Sequence, residues 1–160
     1  MLSSNIIITP YQNIHQSGID EMMQEIAVEF DEEISSKPTH TTPLVPDAYW
    51  IALINEQVIG SVGVVMVEDE FAILKRMMLK KSFRGKAFGI SQQLLQTVLD
   101  WCAQNNVNQI YLGTMNQFKA AQIFYEKNGF QKVSKAALPN NFLTNPLDTV
   151  FYHRKLDAFE

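Results

Sequence analysis

The chain has 160 residues, 46% of them hydrophobic, and a formal net charge of −4. That length supports one domain with a packed core, and no apolar run is long enough for a membrane-spanning helix. The single cysteine, Cys102, excludes an intrachain disulfide framework and fits a reducing compartment. The N-terminus has neither the basic start nor the apolar stretch of a signal peptide, so a cytoplasmic setting is expected.

The small net charge conceals an asymmetry. Residues 1–70 hold twelve Asp/Glu against one Lys, Lys37, whereas residues 71–160 hold twelve Lys/Arg against five Asp/Glu. Such polarity can draw ligands of opposite sign to different parts of a surface, and it equally describes solvated acidic faces. The acidic half repels polyanions, and no basic stripe is interleaved with aromatics, so neither nucleic acid nor membrane is an expected partner. Self-association stays open.

Asn5–Thr9 reads as a short strand ended by Pro10. Ser17–Phe30 places Ile19, Met22, Met23, Ile26, Val28 and Phe30 at helical spacing, with acidic residues in its first turn. Ser35–Pro46 is rich in Pro, Ser and Thr and reads as a long irregular loop of the kind that often carries function. Ala48–Ile54 and Gln57–Val67 are β-branched apolar runs joined as a hairpin at Asn55-Glu56. Glu68–Glu70 is an acidic turn leading into a third strand of this group, Phe71–Leu79.

Ile90, Leu94, Leu95, Val98, Leu99 and Cys102 predict a helix over Phe88–Asn105. Gln109–Thr114 is a short strand, and Lys119–Asn128 a helix stopped at Asn128-Gly129. Phe130–Lys135 and Thr149–Leu156 are closing strands around the loop Ala137–Leu147. The order β-α-(α)-β-β-β-α-β-α-β-β describes a mixed α/β single domain over residues 1–160, without repeats or linkers.

The most informative stretch is Leu74–Gly89, LKRMMLKKSFRGKAFG, a strand that ends in a basic loop and enters a helix at once. A helix start carries unpaired N–H groups and about half a positive charge, which suits an anion. Arg84 and Lys86 add full charges, and Gly85 and Gly89 let a ligand approach the backbone. The expected occupant is a pyrophosphate.

The loop Arg84-Gly85-Lys86-Ala87-Phe88-Gly89 is similar to the acyl-CoA pyrophosphate loop of the GNAT superfamily of N-acetyltransferases, written Q/R-x-x-G-x-G/A. Ala121–Phe130, AQIFYEKNGF, resembles that family's second signature, A-x-x-F/L-Y-E-K-x-G-F. The element order matches as well, so the resemblance covers nearly the whole chain. Two positions depart from it. Ala87 replaces the first family glycine, a change that costs on the order of 1 kcal/mol if φ there is positive. Phe118 replaces a frequent asparagine, leaving Asn116 and Thr114 as the nearest polar substitutes toward the cofactor.

The resemblance implies a mixed, mostly antiparallel central sheet flanked by helices, acetyl-CoA as donor, and direct attack of a primary amine on the thioester. It implies that Met77, Met78 and Leu79 pair with the pantetheine arm like an added strand. It also implies that Arg84, Gly85, Lys86, Ala87, Phe88 and Gly89 hold the pyrophosphate. The Met78 N–H is the expected oxyanion donor. Tyr125 is the expected general acid toward the CoA thiolate, with Phe124 serving the core; core packing is the other reading of Tyr125.

A carboxylate must take the amine's proton, directly or through water. Glu70 is the nearest acidic residue ahead of the strand, and Glu29, Glu32 and Glu33 are alternatives on the acceptor side, where Glu29 is also a substrate candidate. The tail LPNNF…DTVFY resembles a pattern in a subgroup of GNAT sequences, which makes Phe142 and Asp148 substrate candidates. A turn-capping role is the other reading of Asp148.

Cys102 belongs to an apolar helix face and reads as core. His15, His40 and His153 lack metal-ligand spacing, although His40 lies in the long acceptor-side loop. The charge split points to a small cationic amine as acceptor. A non-catalytic acyl-CoA-binding module and an acetyltransferase of proteins are the competing functions. A Walker-type phosphate loop is excluded, since G-x-x-x-x-G-K-S/T is absent.

Overall fold

The computed structural model describes residues 5–30, 46–85 and 89–156. Along them run β1 (Ile6–Pro10), α1 (Gln16–Ala27), β2 (Ala48–Ile54), β3 (Gln57–Val67) and β4 (Phe71–Leu79). Then come α2 (Ile90–Gln104), β5 (Gln109–Thr114), α3 (Lys119–Lys127), β6 (Gln131–Val133) and β7 (Val150–Lys155). The expected element order is found, with ends displaced by up to three residues. The optional second helix before β2, together with Glu32, Glu33, His40 and nearly all of the Ser35–Pro46 loop, lies outside the described residues.

The strands form one sheet of seven, in the order β1-β2-β3-β4-β5-β7-β6. Every pair is antiparallel except β4–β5. The first two hairpins close where the chain accepts positive φ: 50° and 66° at Asn55 and Glu56, then 48° and 58° at Glu68 and Asp69. Paired left-handed residues give a turn whose twist matches the flanking strands.

Each face of the sheet is covered differently. Ile90, Leu94, Leu95, Val98 and Cys102 form the buried stripe of α2 and pack on Ala52, Ile59, Val62 and Leu74. The helical spacing of those five residues dictates that stripe. On the opposite face, Ile19, Met22 and Ile26 of α1 cover Ile51 and Val58. Further along that face, Phe142 closes over Val67, Phe71, Ile73 and Phe151. Between α1 and the Phe142 patch runs a strip of cross-strand neighbours, Tyr49, Gly63 and Lys75.

Two irregularities of β4 shape the site. Its parallel pairing with β5 involves only Ala72–Ile110 and Ile73–Tyr111. Beyond these, Leu74–Leu79 and Leu112–Thr114 diverge and line an opening. The second irregularity is a bulge: Ser61 pairs with Met78 and Gly63 with Lys75, so Arg76 and Met77 together oppose Val62. Arg76 takes φ 53°, and Ser61, itself buried, donates its hydroxyl to the Arg76 carbonyl at 2.7 Å. A non-glycine residue held in the left-handed region costs on the order of 1 kcal/mol.

Candidate active site

The chain leaves β4 through residues 80–89 and enters α2 at the open end of the β4–β5 pair. Gly89 is the N-cap of α2 at φ 65°, and Gly85 lies at φ 111°, so both glycines serve backbone conformations that other residues resist. No side chain caps the α2 start, which keeps its first N–H groups for an anion. Lys86, Ala87 and Phe88 lie outside the described residues.

Arg84 departs from expectation. Its guanidinium forms a two-pronged ion pair with Glu29 at 2.6 and 3.0 Å, and its Nε donates to the Leu79 carbonyl at 2.8 Å. The side-chain charge is thus committed within the protein, and Glu29 is engaged as its partner rather than standing free for an acceptor. Lys80 is similarly paired with Glu25 at 2.8 Å. What Arg84 does is fasten the loop to the end of α1. Next to Glu29, Phe30 meets Phe118 edge-on, with ring centres 4.8 Å apart, so the end of α1 touches the segments that follow both β4 and β5.

Along β4 the direction of the backbone corrects one assignment. The Lys80 N–H bonds to the Ile59 carbonyl of β3. N–H groups alternate sides along a strand, so the Met78 N–H, two residues back, also faces β3. The same alternation turns Met77 and Leu79 toward the opening. Met78 is therefore not the donor presented to the opening, although its side chain packs beside α1.

Tyr125 lies in the apolar layer under α2, and Asp148 is near enough for its charge to bear on the tyrosine hydroxyl. Tyr125 is 6% exposed, its ring packed between Phe124, Phe130 and Tyr152. It takes a more buried place than Phe124, the reverse of the expected division of labour. Burial, then the negative charge of Asp148, push its hydroxyl well above the usual tyrosine range, so it holds its proton at neutral pH. Asp148 lies flat against β5: a Cβ added at Gly113 would stand 2.6 Å from its Oδ2. Its anchors are local, since its N–H bonds Asn145, and Thr149 bonds Thr114 through its N–H and Asn116 through its hydroxyl. The turn-capping side chain is that of Asn145, which accepts from the Leu147 N–H.

Burial raises the Asp148 carboxyl above its ordinary value, while the positive charge of Lys75, whose ammonium donates to the Leu143 carbonyl at 3.4 Å, pulls the other way. Burial likewise lowers Lys75, with Asp148 opposing. Burial thus pushes both ionisable groups toward neutrality, while their opposite charges resist it. Lys75 is nearly silent in the sequence. Its one signal is a basic pair, Lys75-Arg76, inside an otherwise apolar strand.

The remaining candidates fall elsewhere. Glu70 sits on an exposed turn at the paired end of β4, roughly 25 Å of strand from Met78. Phe142 is 8% exposed and plugs the third apolar cluster, so it is core rather than substrate contact. Asn116 faces the same loop as Thr149, its side-chain oxygen accepting from Lys119 at 2.8 Å. Burial pushes the Cys102 thiol up to about 11, which leaves it inert. His15 accepts from the Gln12 N–H and His153 pairs with Gln109, both local structural contacts. Among the described residues there is no group of three metal-ligating side chains, and no helix is long and apolar enough to cross a membrane.

A splayed parallel strand pair beside a glycine-started helix is matched at the level of sequence families. The family model described as acetyltransferase (GNAT) domain matches residues 46–132. The chain belongs to the GNAT acetyltransferase family. N-acetylaspartate synthetase of Danio rerio is 33% identical over 108 residues, which is 65% of this chain and 37% of that protein. The probable N-acetyltransferase camello of Xenopus tropicalis is 33% identical over 109 residues, 66% of this chain and 48% of that protein. The chain thus spans under half the length of these curated relatives. A GNAT-family acetyltransferase from Staphylococcus aureus superposes with a TM-score of 0.81 and 26% identity, covering 95% of this chain and 99% of that one.

In this GNAT domain the Glu29–Arg84 pair is half-buried, with side-chain exposures of 16% and 33%. Solvent weakens such pairs, and about 1 kcal/mol is a reasonable contribution. Glu29→Gln is expected to lower Tm by about 2–4 °C. Thermal unfolding of the two single variants and of Glu29→Gln/Arg84→Gln measures the coupling; additive losses would show that the pair contributes nothing.

Proposed function

We propose that the chain is an acetyl-CoA-dependent N-acetyltransferase acting on a primary amine, with residues 1–160 as one catalytic domain. The observation that carries this reading is the divergence of β4 from β5 after Ile73, in front of the glycine-started α2. The pyrophosphate would lie on the α2 N-terminus beside Gly85 and Gly89, with the backbone of Arg84, Lys86, Ala87 and Phe88 completing the cradle. The pantetheine would run along β4 at Met77 and Leu79, adding a strand where β5 has diverged. A buried thiol in a chain without disulfide partners supports a cytosolic setting.

The chemistry then follows from position. The amine nitrogen attacks the thioester carbonyl carbon, and the Met77 N–H, aimed into the opening, stabilises the oxyanion. Asp148 takes the proton that the amine must lose. As the C–N bond forms and the C–S bond breaks, Tyr125 gives its proton to the departing thiolate. The products are the N-acetylated amine and free CoA. Asp148 takes the base role in place of Glu70, which lies exposed at the paired end of β4.

Among the described residues, several acidic side chains of the N-terminal half are engaged within the protein or lie away from the opening, so the charge split alone does not select a cationic acceptor. Glu25 and Glu29 are engaged with Lys80 and Arg84, Glu68 accepts from Asn141, and Glu70 is remote. The decisive experiment is amine-dependent release of CoA thiol from acetyl-CoA over a panel of amines, amino acids and peptides. Release that requires the amine is the expected result. Calorimetric CoA binding without release across the panel would favour the acyl-CoA-binding module instead.

A further inference from the structure

We infer that Gly113 is a positioning residue for acetyl transfer: the side chain it lacks is the berth that holds the Asp148 carboxylate beside the first open rung between β4 and β5. The inference rests on the acetyltransfer reading above and names what places the proton acceptor of that same site.

Pairing of β4 with β5 ends at Ile73 and Tyr111. Side chains two residues apart on a strand share a face, so the next rung on that face would join Lys75 of β4 to Gly113 of β5. That rung is open. The face is that of the Phe142 patch, since Ile73 belongs to it and so does Phe151, the cross-strand partner of Gly113. One side of the open rung thus carries a lysine, and the other carries no side chain at all.

Asp148 fills that space. A Cβ added at Gly113 would stand 2.6 Å from its Oδ2, 3.0 Å from its Cγ and 3.1 Å from its Cβ. Non-bonded carbons rest at about 3.5–4.0 Å, so the whole aspartate side chain lies where residue 113 would project. The backbone does not ask for this glycine: Gly113 is regularly paired within β5 and lies outside the glycines of positive φ. Glycine inside a strand weakens it and marks a close approach. Here the approaching group is a carboxylate.

The main chain around that carboxylate is pinned to the same strand. The Thr149 N–H bonds the Thr114 carbonyl at 2.9 Å, and its hydroxyl accepts from the Asn116 N–H at 3.2 Å. The Asp148 N–H bonds the Asn145 carbonyl at 3.0 Å. A methyl group at position 113 would therefore turn the carboxylate off the rung instead of moving the loop as a whole. Across the rung, the Lys75 ammonium donates to the Leu143 carbonyl at 3.4 Å and ties the segment ahead of Asp148 to β4.

The test is a double-mutant cycle of Gly113→Ala with Asp148→Gly, which removes the three atoms nearest the new methyl. In the otherwise wild-type protein, Gly113→Ala should lower kcat/KM for the amine at least about tenfold, toward the loss expected when a general base is removed. The KM for acetyl-CoA should stay nearly unchanged, and the acid limb of the pH profile should disappear with the displaced carboxylate. In the Asp148→Gly background the same substitution should change the rate by less than about twofold. Thermal unfolding of the four proteins repeats the cycle without turnover: Gly113→Ala should lower Tm when Asp148 is present and not when it is replaced. Equal losses in the two backgrounds, of rate or of Tm, would overturn the inference while leaving acetyltransfer intact. So would a Gly113→Ala protein with the wild-type rate and acid limb. A wild-type protein that releases no thiol with any amine would sink the transferase reading, and the role of Gly113 with it, whatever the unfolding shows.

Discussion

Tyr125→Phe is expected to lower kcat by about 10²-fold or more, the scale of a lost general acid, with little change in the KM for acetyl-CoA. The substitution removes one oxygen and keeps the ring between Phe124, Phe130 and Tyr152, so the fold and the adjoining core remain. The lost function is specific: a thiolate leaving without a proton is a poorer leaving group, and water is kept away from a residue buried this deeply. Because burial and Asp148 hold the hydroxyl above the ordinary tyrosine range, Tyr125 should stay protonated across neutral and alkaline pH. Any alkaline decline in the wild-type rate should therefore persist in the variant. Steady-state kinetics with a thiol reagent give the result. Wild-type turnover in Tyr125→Phe would remove the residue from the mechanism and return it to core packing.

The parts of the fold legible in the sequence are those written in local pattern. The stripe Ile90, Leu94, Leu95, Val98, Cys102 determines α2 by its spacing alone. Asn55-Glu56 announces its hairpin, and the glycines of the loop after β4 stand where positive φ requires them. The site is less legible, because its geometry depends on residues far apart in the chain. The Glu29–Arg84 pair joins positions separated by 55 residues, so Arg84 reads as a free cation until α1 is placed beside the loop. The bulge at Arg76 leaves no compositional mark, as neither glycine nor asparagine stands there. That bulge is also what shifts Met78 toward β3 and brings Lys75 and Arg76 to one face. Glu70 is near β4 in sequence, yet a strand carries its two ends apart, and Asp148 comes from the turn that precedes β7.

Asp148→Asn is expected to cost about 10²-fold in kcat/KM near neutral pH and to reshape the acid side of the pH profile. An amide keeps the shape that rests against Gly113 but cannot accept the amine's proton. In the wild-type protein the carboxyl must be ionised to act, so activity is present above its pKa and lost as pH falls through it. Burial raises that pKa above the ordinary Asp value, which places the acid limb at higher pH than a surface carboxylate would give. Lys75 opposes the rise, so Lys75→Met should move the limb further toward neutral pH. Asp148→Asn should abolish this limb and retain only the titration of the acceptor amine itself. Rates measured from acid to alkaline pH in the wild type and both variants decide the matter. An Asn variant that raises the KM for the amine and leaves kcat and the limb unchanged would place Asp148 in acceptor binding and require a different base.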